Sequence, residues 1–263
     1  MFIDTHCHLD FPDFDPDREE VIRKSRAEGI GYIINVSSSI KGAKDSLELS
    51  HRHDFIYAAV GIHPHEADAC LHPDIRGEIK KLAGNKKVVA IGEIGLDYYR
   101  HYSLPKNQKD LFVSLLALAS ELKLPAIIHS RQAQEDTLRI LKENPVERIV
   151  LHCFSGDEAF LAECLSRGYY LSFTCNITYK KSGDLRRIVL KAPLERIFLE
   201  TDAPFLPPEG ARGKRNDPWQ VKAVAEEIAR LKGLSTEEVA RVTTENALAF
   251  FSLEAIKPRV DQG

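Results

Sequence analysis

The chain has 263 residues, 43% of them apolar and 29% charged, with a formal net charge of -3. This is an ordinary globular composition, and the length suits one large domain or two small ones. A negative balance excludes a protein that grips nucleic acid through bulk positive charge, because counterion release needs many Lys and Arg on one face. It leaves room for a nuclease that brings its own metal charge.

The five cysteines, Cys7, Cys70, Cys153, Cys164 and Cys175, are scattered, odd in number and form no CxxC pair. They read as reduced thiols, and the expected location is cytoplasmic. No apolar run approaches a membrane span. Residue 2 already begins the first strand, so no cleavable leader is expected. The expected oligomeric state is a monomer.

In chain order, Phe2-Ile3-Asp4-Thr5-His6-Cys7-His8 reads as a strand ending in two histidines. Residues i and i+2 of a strand share a side, so His6 and His8 project together and Cys7 projects away. Asp15-Pro16 should open a helix that stops at Gly29. Tyr32 to Val36 is a buried strand, Lys41 to His51 helical, and Phe55 to Ile62 the next strand, closed by His63-Pro64-His65. Pro73 should open a helix ending near Gly84, before the strand Val88 to Glu93. Leu111, Leu115, Leu118 and Leu122 recur at helical spacing, which predicts a helix over 105–122. Strands follow at 126–129, 149–152, 169–173 and 197–202, with helices at 132–142, 158–166 and 185–190 between them. Helices at 218–231 and 237–251 close the pattern, and Ser235 with Glu238 forms a capping box.

Eight apolar strands, each followed by a helix, fit an α/β fold of the (β/α)8 TIM-barrel type over residues 1–263 as a single domain. The runner-up, an open doubly wound sheet, needs a Gly-rich phosphate loop after an early strand. Here the first strand ends in His6-Cys7-His8 instead.

In such a barrel the chemistry sits at the C-terminal ends of the strands. Six of the ten histidines fall there: His6, His8, His63, His65, His129 and His152. The others, His51, His53, His72 and His101, fall in helices or loops. Glu93 ends the fourth strand and Asp202 the eighth. Closure sets strand eight beside strand one, which puts Asp202 with His6 and His8. Strands five and six are neighbours, so His129 and His152 make a second pair. Glu93 adjoins it and has two oxygens with which to bridge. One catalytic zinc needs three ligands and a water, so six candidates favour two divalent ions. His with carboxylate suits Zn, Mn, Ni or Mg. The bland alternative, satisfied core histidines and buried paired acids, needs six coincidences at one rim. Cys7 and Cys153 are expected to pack away from the site, beneath the helices.

The loops of the same face carry Arg100, Lys106, Arg131, Lys180, Lys181, Arg212, Lys214 and Arg215, with Tyr98, Tyr99, Tyr102 and Tyr179 among them. Cations and aromatics around two metals suit a substrate bearing phosphates and bases.

Asp4-Thr5-His6-Cys7-His8-Leu9-Asp10, Gly61-Ile62-His63-Pro64-His65, Gly92-Glu93-Ile94-Gly95-Leu96-Asp97-Tyr98, His129-Ser130-Arg131, His152-Cys153-Phe154-Ser155-Gly156 and Glu200-Thr201-Asp202-Ala203-Pro204 together resemble the TatD family of metal-dependent deoxyribonucleases. The resemblance runs from Phe2 to about Phe251 and includes Arg212-Gly213-Lys214-Arg215-Asn216 and Val242-Thr243-Thr244-Glu245-Asn246-Ala247. It implies a two-metal hydrolase cleaving DNA phosphodiesters as a 3'-5' exonuclease acting on single strands or 3' ends. The ligands it implies are His6, His8 and Asp202 for one ion, His129 and His152 for the other, and Glu93 shared. This agrees with the partition from strand adjacency. Asp202 is then the expected general base and Glu93 its bridging partner, with His63, Arg131, Tyr98, Arg100 and Arg215 as substrate contacts. Two alternatives stay open: a metal-dependent amide or ester hydrolase, aminoacyl-tRNA deacylation included, and a non-catalytic metal-dependent DNA-binding protein.

Overall fold

The computed structural model describes residues 1–70 and 74–253. Its strands are β1 (Phe2–Cys7), β2 (Ile30–Val36), β3 (Ile56–Val60), β4 (Val88–Asp97), β5 (Ala126–Arg131), β6 (Ile149–Leu151), β7 (Tyr170–Phe173) and β8 (Ile197–Leu199). They form one sheet in the order β1 to β8, with every adjacent pair parallel. Helices α1 (Arg18–Ala27), α2 (Ile40–Arg52), α3 (Ile75–Ala83), α4 (Pro105–Leu122), α5 (Gln134–Glu143), α6 (Glu158–Ser166) and α7 (Gly183–Lys191) each join one strand to the next. Helices α8 (Val221–Lys232) and α9 (Thr236–Phe251) follow β8. This is the TIM barrel.

The strands are apolar because helices cover them outside and neighbouring strands fill the interior. All seven residues of β2 and all ten of β4 are buried. The helices bury only a stripe, as α4 does with Leu111, Leu115 and Leu118.

Closure at the β8–β1 seam uses few ladder bonds. Among the described residues β8 pairs with β7 alone. Side chains and the strand ends join it to β1 instead. Thr5 Oγ1 donates to the Leu199 carbonyl (3.1 Å), Asp202 N to His6 O (2.9 Å) and His8 N to Ala203 O (2.7 Å). Asp4, fully buried, accepts from Thr201 N (3.0 Å) and Thr201 Oγ1 (2.6 Å). The adjacency expected of Asp202 with His6 and His8 is thus made by loop bonds just past the strands.

Several boundaries differ from the sequence reading. The stretch Pro12–Phe14 makes a 3-10 turn, and α1 starts only at Arg18. Gln132 has φ 52°, in the left-handed region, so α5 begins two residues later. β4 runs four residues further than expected, to Asp97, while β8 stops three residues short of Asp202. Pro73 and His72 lie outside the described residues. Ser235 caps α9, its Oγ accepting from Glu238 N at 3.1 Å.

Candidate metal centre

The site is built from the C-terminal rim upward. β1 delivers His6 and, one residue past its end, His8. Their Nε2 atoms lie 3.3 Å apart, as the i, i+2 rule requires. Cys7 turns the other way, buried, with Sγ 4.0 Å from Asn35 Oδ1. β4 delivers Glu93, β5 His129, and the turn after β6 His152. Asp202 follows β8 in a left-handed turn, φ 57°.

Glu93 stands at the centre. Its Oε1 faces His152 Nε2 (2.6 Å), His129 Nδ1 (2.7 Å) and His63 Nε2 (3.5 Å). Its Oε2 faces His6 Nε2 (3.4 Å) and His8 Nε2 (4.0 Å). Asp202 Oδ1 lies 3.3 Å from His8 Nε2 and 3.7 Å from His6 Nε2. Among the described residues the donors fall into three overlapping groups: His6–His8–Glu93, His6–His152–Asp202, and His63–Glu93–His129. All six residues predicted as ligands therefore meet at one centre. His63, expected as a substrate contact, also comes within ligand distance. His152 is shared between halves, its ring stacked on His6 at 4.0 Å.

The donor chemistry fits cations. His8 Nδ1 lies 2.7 Å from the Val36 carbonyl, which only accepts, so Nδ1 carries the proton. The Nε2 lone pair of neutral His8 then points at His6 and Asp202. Among the described residues His6 Nδ1 is buried without a hydrogen-bond partner. Lone pairs and carboxylate oxygens converge here, and something positive must sit among them.

In the metal-free protein, protons take that role. Burial alone would push His8 down, but the hydrogen bond and charge of Asp202, with Glu93, lift it to about 9. Burial likewise opposes the upward shifts of His129 and His152, which Glu93 and their other carboxylate partners impose. Burial would raise Glu93; the surrounding imidazoles outweigh it and hold it well below the usual carboxylate range. His6 and His63 are shifted down, chiefly by burial.

A layer of supporting groups lies behind these donors, without a role that the sequence alone assigns. Asp97 is buried; its Oδ2 accepts from His65 Nε2 (2.9 Å) and His129 Nε2 (3.2 Å). Its Oδ1 accepts from Tyr99 N (2.9 Å) and Arg100 N (3.0 Å). Glu200 Oε1 accepts from Cys153 N (2.7 Å) and faces His152 Nδ1 at 3.4 Å. Carboxylates behind ligating imidazoles fix their tautomer and orientation. Asp97 lies at i+4 from Glu93 and hence on the same side, a relation that holds only because β4 runs on to Asp97.

The centre opens into a cavity of about 590 Å³ lined by His63, Arg100, Arg131 and Asp202 among others. Cys153 lines it too, which corrects the expectation that it packs beneath the helices. Its φ of 44° turns it out of strand geometry, so alternation no longer sets its direction. Two expected substrate contacts are committed elsewhere. Arg215 pairs with Asp17 (2.6 and 2.8 Å) and Asp217 (3.1 Å) and covers the Phe14 ring; it does not line the cavity. Tyr98 OH donates to Asp136 at 2.7 Å and is likewise absent from the lining. Of the other rim cations, Arg212 lies over Tyr179, 4.7 Å from its ring centre.

Comparison with known proteins agrees with this geometry. The family model described as TatD related DNase matches residues 3–252. The chain is 43% identical to the uncharacterized metal-dependent hydrolase YabD of Bacillus subtilis, over 96% of this chain and 100% of that protein. It is 35% identical to the 3'-5' ssDNA/RNA exonuclease TatD of Erwinia amylovora, over 95% and 99%. The crystal structure of YJJV, a TatD homologue from Escherichia coli, superposes with a TM-score of 0.90 at 32% identity, covering 96% of this chain and 98% of that one. The fold, the gathered donor set and these matches agree: the chain belongs to the TatD family and is a metal-dependent hydrolase.

Proposed function

We propose that the protein hydrolyses phosphodiester bonds of nucleic acid, removing nucleotides from the 3' end of single strands, with two divalent cations at the Glu93 centre. The observation that carries this reading is the divided attention of Glu93. One carboxylate oxygen faces His152, His129 and His63, and the other faces His6 and His8. A carboxylate with imidazoles on both oxygens suits a bridge between two ions. The donor set of His and carboxylate accommodates Zn, Mn, Ni or Mg. The named activity of the Erwinia relative supports the nucleic-acid substrate and the 3'-5' direction.

Bound cations would neutralise the charge that grows on the phosphate and acidify a water. The remaining work falls to the chain. Asp202 lines the cavity beside His8 and takes the proton of the attacking water as general base. Val36 and Asp97 hold the rings of His8 and His129, so their donor atoms need no reorganisation during the reaction. Arg131 and Arg100 line the cavity and orient the phosphate, and His63 adjoins them from the Glu93 side. Tyr98 and Arg215 are left out of this set because their polar ends are already paired.

The test is a nuclease assay on 3'- and 5'-labelled single strands of DNA and RNA, after stripping with EDTA and re-addition of single metals. Shortening from the 3' end that returns with metal is expected. Intact oligonucleotide under every metal, beside hydrolysis of activated esters, would replace this reading with that of an esterase or amidase.

A further inference from the structure

Phe205 is 49% exposed, and of the large apolar side chains exposed among the described residues it alone lines the cavity. Phe11 lines the same wall. The two rings stand nearly perpendicular, at 82°, with centroids 5.9 Å apart. The His8 ring lies under Phe11 at 4.7 Å and 24°. The pair therefore forms an aromatic corner directly beside a residue of the metal centre.

The corner is held rigidly. Phe205 N donates to Asp202 O at 2.8 Å. The fully buried Asn216 donates from Nδ2 to the carbonyls of Phe205 (2.8 Å), Leu206 (3.2 Å) and Thr201 (3.0 Å). On the other side Phe11 N donates to His8 O (3.1 Å), and Phe11 O accepts from Arg18 Nη2 (3.1 Å). The Phe205 ring is thus fixed half in water at the cavity mouth, and a planar partner could stack there without reorganising the backbone.

The opposite wall differs in kind. There Arg131 lies over the Tyr99 ring at 4.0 Å, and Arg100 lies 5.5 Å from the same ring. Tyr99 is thus occupied by guanidinium groups. Tyr102 sets its ring against His65 at 4.8 Å and does not line the cavity. Phe205 is the ring at this mouth that is left to receive a planar guest. Cations on one wall and open aromatic faces on the other are the two halves of single-strand recognition.

We propose that Phe11 and Phe205 form a stacking site for a nucleobase adjoining the scissile phosphate. This rests on the nuclease reading. Every base has a π-face, so the corner accepts any base and selects for a single-stranded end, whose bases are free to enter. It adds a base subsite to a centre whose other contacts address only phosphate.

The test reads stacking without relying on cleavage. Two oligonucleotides carry 2-aminopurine at the 3'-terminal or the penultimate position, and its fluorescence is followed during rapid mixing with metal-loaded protein. The parent protein quenches at least one probe. Phe205→Ala and Phe205→Leu lose that quench and bind about tenfold more weakly, on the scale of one lost base–aromatic stack, while Phe205→Trp restores both. Metal content and circular dichroism verify that each variant is folded and loaded. Equal quenching by parent and Phe205→Ala overturns the proposal, and so does its absence at both positions in the parent. Whether the parent shortens the strand is read separately on a gel, so loss of the stack and loss of the nuclease reading are distinct results.

Discussion

Asp97 and His129 meet through Oδ2 and Nε2 at 3.2 Å, and this contact decides which nitrogen His129 turns toward the centre. With Nε2 held by a carboxylate, Nδ1 is the atom left facing Glu93, at 2.7 Å. Asp97 also holds His65 through the same oxygen, at 2.9 Å, and is itself fixed by the amides of Tyr99 and Arg100. It acts through His129, as a positioning residue.

Replacing Asp97 by Asn keeps the shape but offers His129 an amide that can donate as well as accept. The ring then loses its fixed tautomer. We expect metal affinity to fall about 10–100-fold, the usual cost of removing such a partner, with the fold retained. Competition against a chromophoric chelator measures it. An unchanged affinity would show that Glu93 and His152 suffice to orient His129.

Asp202→Asn separates base from ligand. Asp202 has φ 57°, a conformation that Asn tolerates well, so the turn should survive. Turnover should drop about 10²–10⁴-fold, the range of a lost general base, while circular dichroism shows the fold retained. Turnover at the parent rate would reassign the base.

Much of this centre was legible because strand ends announce themselves. His6 and His8 could be paired from their spacing alone, and Asp202 could be set beside them once eight strands were counted. Less was legible where backbone geometry departs from regular periods. Asp97 fell past the expected end of β4, since nothing local marks four further residues as strand. Alternation turns Cys153 away from the site, and its positive φ breaks that rule. Arg215 sits in a rim loop of the sequence; the acids that capture it, Asp17 and Asp217, include one almost two hundred positions away. Phe11 and Phe205 carry no motif, and only their meeting in space makes them a pair.

Gly95 ties the barrel to the centre. It has φ 143° and sits opposite His129 in the β4–β5 register. A Cβ there would lie 2.0 Å from the His129 carbonyl oxygen. Gly95→Ala should therefore push β5 away, cost about 1–3 kcal/mol as an overpacked position does, and lower metal occupancy at the same time. Gly183→Ala, with open space around its Cβ, is the contrast and should be near neutral. Urea unfolding and metal analysis of both variants test the coupling. Full occupancy in a destabilised Gly95→Ala protein would mean that His129 does not depend on this strand contact.

The metal-free protein should have a stability optimum that the loaded protein lacks. His8 is raised from 6.5 to about 9 in the folded state. A raised folded value gives stabilisation that is complete below pH 6.5 and is lost as pH climbs through about 9. His129 and His152 are shifted the same way and add to the loss. His6 and His63 are shifted down, so they are neutral when folded but charge on unfolding; their effect removes stability as pH falls below 6.5. Burial raises Asp4 from 3.8 to about 8, which removes stability as pH rises across that range; it offsets part of the loss on the acid side and adds to the loss on the alkaline side. Stability in EDTA should thus peak near pH 6.5 and decline toward 9. With metal bound, the ions replace those protons, so binding releases them and tightens as pH rises. Urea midpoints across pH, with and without EDTA, test the first point. Calorimetry in two buffers of different ionisation enthalpy counts the protons for the second. A metal-free midpoint that keeps rising from pH 6.5 to 9 would mean that protons on His8 and its neighbours do not hold the empty centre together.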